Sequence, residues 1–90
     1  MKIVINKCYG GFGISDEYEE KLGVDSWDMQ TLRTDERLIN AVEEDPEGVS
    51  DTYAALRVVE IPDEATDYYI DEYDGMESVI YVVDGKLHWT

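Results

Sequence analysis

Ninety residues carrying a net charge of −15 leave room for one domain with one small core, and exclude a second catalytic domain. Apolar residues make up 43% of the chain and aromatics 11%, ordinary values for a folded domain, which exclude a disordered one. All 22 carboxylates fall after Ser15, a field that repels nucleic acid and anionic lipid and attracts basic proteins and metal cations.

The first 15 residues carry only Lys2 and Lys7, so the remaining 75 hold 22 acids against five bases, a net of −17. A lone cysteine, Cys8, cannot form an internal disulfide, and charge interrupts "MKIVINKCYGG" before the apolar run of a signal peptide. No apolar stretch approaches the roughly 18 residues of a membrane span. The expected setting is a reducing cytoplasm, with no membrane and no direct nucleic-acid contact.

In chain order, "KIVIN" alternates around three β-branched residues and predicts a strand. The glycines of "CYGGFG" mark a loop, after which Ser15 caps a short helix, "DEYEEKL", that closes at Gly23. "VDSWDMQTL", with Trp27 and Met29, has no sustained period and reads as irregular or partly helical. Thr34 is a second N-cap, and Leu38, Ile39 and Val42 form an apolar stripe on a helix that runs to about Asp45 and stops before "PEGVS". "DTYAAL" fits either a helical turn or the approach to a strand.

"LRVVEIP" is the second clear strand, ended by its proline. "DYYIDEY", "MESVIYVV" and "KLHWT" are three further β-type runs, separated by Asp74-Gly75 and Asp84-Gly85. Such two-residue turns need positive φ at both positions and signal tight hairpins. The second turn pairs Val83 with Lys86, Val82 with Leu87, Tyr81 with His88 and Ile80 with Trp89. Ile80, Val82, Leu87 and Trp89 then share one face, the expected core side, and Val79, Tyr81, Val83, Lys86 and His88 the other. Because that second face is not plainly polar, a helix or a partner is expected to cover it. The fold predicted is α+β: an antiparallel sheet of about four to five strands, including a C-terminal three-stranded meander, with one or two helices packed on it. "KIVIN" and "RVVEI" are expected to complete the sheet.

Strand, glycines and helix N-terminus is an arrangement that can cradle phosphate. "GGFGISDEYEE" matches neither nucleotide-binding glycine pattern, and Asp16, Glu17, Glu19 and Glu20 stand where a phosphate would sit. A tight turn into an acid-capped helix is the expected role. Cys8 with His88 as base would make a thiol site, but the negative field opposes thiolate formation, and a structural Cys at a strand end fits better. Metal would need a site assembled by the fold, since "DYYIDEYDG" lacks the spacing of a calcium loop; no cofactor is expected.

The acids are the strongest signal. Their plain role is a solvated surface. Their functional role is mimicry, in which carboxylates imitate phosphates and occupy the basic channel of a nucleic-acid-binding protein, with tyrosines as anchors.

"MKIVINKCYGGFGIS", "LRVVEIPDE" and "IDEYDGMESV" resemble a family of small, mostly uncharacterised proteins encoded by bacteriophages and prophages. The likeness spans both ends and leaves residues 24–53 unmatched. It implies a cytoplasmic protein of the infected host and carries no catalytic residues. By analogy with small acidic phage proteins that block host defence, including anti-CRISPR proteins, the expected function is a non-enzymatic inhibitor of a host nucleic-acid-processing protein such as a CRISPR effector nuclease. The expected contact residues are Asp63, Glu64, Asp67, Tyr68, Tyr69, Asp71, Glu72, Tyr73 and Asp74, with Glu43, Glu44 and Asp45 of the helical segment 35–47. The alternatives are a metal or thiol enzyme centred on Cys8 and His88, and a phage structural accessory protein.

Overall fold

The computed structural model describes residues 1–24 and 28–90, so Trp27 of the "VDSWDMQTL" segment lies outside the described residues. Along the chain run β1 (Lys2–Asn6), α1 (Asp16–Leu22), α2 (Met29–Leu32), α3 (Glu36–Glu44), α4 (Pro46–Val49), β2 (Leu56–Glu60), β3 (Asp67–Tyr73), β4 (Met76–Val83) and β5 (Lys86–Trp89). The class is α+β with five antiparallel strands, as the sequence implies, and the C-terminal meander is present. The strands divide into two sheets, β1–β2 and β3–β4–β5, instead of joining in one. Two four-residue helices, α2 and α4, supplement the two expected.

Local chemistry accounts for most boundaries. The Ser15 hydroxyl accepts from the Tyr18 N–H at the start of α1, and Gly23 ends the helix at φ 64°. The cap of α3 is Asp35, one residue beyond the expected Thr34. "PEGV" does not simply end the helical region: Asp45 caps a new turn, with Pro46 at its first position, where a missing N–H costs nothing. Both Asp-Gly turns adopt positive φ at both positions, 55° and 90° at Asp74 and Gly75, and 52° and 74° at Asp84 and Gly85.

Asp35 does more than cap α3. Its carboxylate accepts from the Arg37 N–H and pairs with the Arg37 guanidinium, both at 2.8 Å. The hydrogen bonds from Arg37 hold this carboxyl below its ordinary range. The folded chain thus binds the proton less readily than the unfolded chain does. The stabilisation is complete above the unfolded value of about 3.9 and disappears as pH falls through the lowered folded value. Asp35→Ala is expected to cost about 1 kcal/mol at neutral pH and to weaken the acid dependence of stability, as read by urea unfolding at neutral and acidic pH.

The core has two compartments that share β1. On one side Val4 and Leu56 pack with Leu38, Ala41, Val42 and Val49 of the helices. On the other, Ile3 and Ile5 meet Ile61 and Val79, with Tyr68, Ile70 and Tyr81 of the meander packed around them. Helices, the two-stranded sheet and the meander therefore stack as three layers.

The register predicted for the second hairpin is observed, pair by pair. Its facing is the reverse of expectation: Val79 is fully buried, whereas Leu87 is 56% and Trp89 68% exposed. The facing is set by what β1 presents. Ile3 and Ile5 meet the face carrying Val79 and Tyr81, and that same face carries Glu77, which is buried against Arg33.

That ion pair also explains why β1 stops at one neighbour. The Val4 N–H donates to the Arg33 carbonyl at 2.8 Å, and the Asn6 N–H donates to Glu77 Oε1 at 2.8 Å. The Arg33 guanidinium donates to the Val4 carbonyl at 3.1 Å and grips Glu77 through two bonds of 2.8 and 2.7 Å. The Arg33 carbonyl and the Arg33 and Glu77 side chains thus satisfy this edge of β1 in place of a further strand. The Phe12 ring lies over the guanidinium at 4.5 Å.

The glycine loop is anchored from the same node. Asn6, fully buried, donates to the carbonyls of Cys8 and Gly75 and accepts from the Ala55 N–H. The loop runs so close to neighbouring backbone that a Cβ on Gly10 would stand 1.6 Å from the Tyr53 carbonyl oxygen. Gly10→Ala therefore requires backbone displacement. A loss of at least about 1–3 kcal/mol is expected, measured as a lowered urea midpoint with an unchanged slope.

Candidate functional site

The expected contact residues do not form one surface. Glu43, Glu44 and Asp45 lie at the end of α3, which packs on the opposite side of the β1–β2 sheet from the meander. Two of them have partners within the fold. Glu43 pairs with Lys2 at 2.9 Å, and the hydrogen bond raises the pKa of that ammonium. Asp45 accepts from the Gly48 N–H at 3.1 Å and from the Tyr18 hydroxyl at 3.0 Å, which raises the pKa of the phenol.

The acids and tyrosines of residues 63–74 also divide. Asp63 pairs with the Met1 amine at 3.1 Å, and Glu64 is exposed beside it. Tyr68 turns inward and packs against the second core compartment. Glu72 folds back to accept from the Gly75 N–H, and Asp74 occupies the turn. What remains is a row on one face of β3: Asp67, Tyr69, Asp71 and Tyr73, with alternate residues about 7 Å apart.

This row belongs to the outer face of the meander. Tyr69 stands opposite Ile80, which stands opposite Trp89; Asp67 stands opposite Val82, which stands opposite Leu87; Asp71 and Tyr73 stand opposite Ser78 and Met76. Tyr69, Tyr73, Leu87 and Trp89 are 47%, 75%, 56% and 68% exposed. By the strand register, the outer face holds two carboxylates and no lysine or arginine; Lys86 faces the other way. Exposed apolar side chains gathered on one face beside polar groups are what an interaction site would present. The exposed tyrosines and tryptophan match the aromatic enrichment of protein interfaces.

Sequence reasoning found the β3 half of this face and missed the β4–β5 half. Ile80, Val82, Leu87 and Trp89 were expected in the core because they are the more apolar set of the hairpin. The signal that could have corrected this is Glu77, which shares a face with Val79 and needs a buried cation that the sequence places 44 residues away.

The other candidates behave differently. The Cys8 thiol donates to the Tyr53 carbonyl at 3.1 Å, and the His88 ring stacks on Tyr81 at 5.4 Å. Among the described residues, no hydrogen bond joins Cys8 to His88, and no group of three or more His, Cys, Asp or Glu side chains is gathered as metal ligands would be. A groove lined by Lys2, Val42, Glu43, Arg57, Val58 and Glu60 carries charges of both signs, with Lys2 and Glu43 paired at its wall. Among the described residues no helix is long and apolar enough to cross a membrane. Comparison with family models, curated proteins and solved structures returned no match.

Proposed function

We propose that the chain is a non-enzymatic inhibitor that docks on the basic surface of a host nucleic-acid-processing protein and blocks it. The observation that carries this reading is the exposed outer face of the meander, where Tyr69, Tyr73, Leu87 and Trp89 lie beside Asp67 and Asp71 with no cation among them. Apolar area supplies affinity, and the field of a −15 chain selects a basic partner and speeds its approach. A second copy of the same chain is disfavoured by that charge. The likeness of the two ends of the sequence to bacteriophage and prophage proteins supports a setting in the infected host cytoplasm, with a CRISPR effector nuclease as the most concrete target class.

The test is capture from a host lysate on the immobilised chain at low and high ionic strength, followed by elution with competing nucleic acid. Retention of a nucleic-acid-binding protein that is released by salt and by the competitor is expected. If no such protein is recovered at either ionic strength, the reading fails.

A further inference from the structure

We propose that the outer row of β3 reads arginine: that Asp67 with Tyr69, and Asp71 with Tyr73, form two adjoining sites for the guanidinium groups of an extended segment of the partner. The proposal rests on the reading that this face docks a basic protein, and it names the chemistry of the contact.

Three observations carry it. First, the row alternates acid and aromatic along β3, and the strand alternation puts all four on one face. Each unit therefore offers a carboxylate and a π-face about 7 Å apart along the strand, and the two units repeat at about 13 Å. Second, among the described residues the ion pairs engage Asp63, Glu43, Glu77 and Asp35, so neither Asp67 nor Asp71 is neutralised by a salt bridge within the fold; Asp67 Oδ1 accepts from the Tyr68 N–H at 2.9 Å and leaves its second oxygen for a partner. Third, Trp89 lies across the sheet from Tyr69, beyond Ile80, and adds a further exposed aromatic to the same face.

Guanidinium fits this pattern better than ammonium. It is planar, stacks on aromatic faces, is weakly hydrated and donates two parallel bonds to one carboxylate, whereas a lysine ammonium is a compact, strongly hydrated point charge. An extended segment repeats with the same strand geometry as β3, so arginines four positions apart match the two units.

The test uses a seven-residue peptide with arginine at its second and sixth positions and serine or threonine elsewhere, and a twin with lysine at both. Each is titrated into the full chain while amide shifts are followed. The arginine peptide is expected to bind at least about fivefold more tightly than its twin, with the largest shifts at Asp67, Tyr69, Asp71 and Tyr73. Tyr69→Leu, which keeps an apolar strand residue but removes the π-face, and Asp71→Asn should each shrink that preference. Both sites are exposed, and circular dichroism checks that the variants fold. Equal, salt-sensitive binding of the two peptides overturns arginine reading while leaving the basic-partner reading intact. A preference that survives both substitutions also overturns it, and absence of binding by either peptide overturns both readings.

Discussion

Glu77→Ala is expected to lower the unfolding free energy by about 3–5 kcal/mol, the cost of leaving one member of a buried ion pair alone. The side chains of Arg33 and Glu77 are only 6% and 7% exposed. Removing the carboxylate strands a buried guanidinium whose Nε has no partner among the described residues, and it frees the Asn6 N–H at the edge of β1. A domain of this size has roughly 5–15 kcal/mol in total, so the single variant should be marginal. The double variant Arg33→Met, Glu77→Leu removes both charges together, and most of the loss should return. What it does not restore is the Asn6 N–H, worth about 1–3 kcal/mol when buried without a partner. Urea unfolding of the three proteins decides the matter: a single-variant loss below about 1 kcal/mol would mean the pair does not hold the meander to β1.

The second large effect concerns binding. Tyr69→Ala and Trp89→Ser remove largely exposed side chains that lie outside both core clusters, so stability should change by no more than about 1 kcal/mol, the size of a cross-strand pair. Affinity for the captured partner should fall by about 2 kcal/mol or more for each, roughly 30-fold, because aromatic anchors at the centre of an interface carry much of its energy. Val79→Ala, on the buried face of β4 in the same meander, should show the opposite pattern, a loss of stability by about 2 kcal/mol or more. Equilibrium binding and unfolding of the same three variants separate the two faces of the meander.

Features determined by neighbours in sequence were legible. The Ser15 and Gly23 caps, the Asp-Gly turns and the pairing of β4 with β5 follow from side-chain hydrogen bonding and positive φ, and all of them are observed. The split into two sheets was not legible, because it depends on Arg33 and Glu77 reaching the edge of β1 from distant parts of the chain. The facing of the meander was lost for the same reason. An apolar pair such as Leu87 and Trp89 reads as core under a local rule, and only the tertiary requirement to bury Glu77 with its cation turns it outward. The candidate site was half legible. Asp67, Tyr69, Asp71 and Tyr73 stood among the expected contacts, while Glu43 and Asp45 have other work within the fold.

The central claim is that the outer face of the meander, and not the acidic helical layer, meets the partner. Hydroxyl-radical footprinting of the chain alone and in complex with the captured partner tests it directly. Tyr69, Tyr73 and Trp89 should lose reactivity on binding, while Tyr18 on α1 and the exposed Met29 on α2 keep theirs. Protection of Tyr18 and Met29, with Trp89 unchanged, would contradict the account.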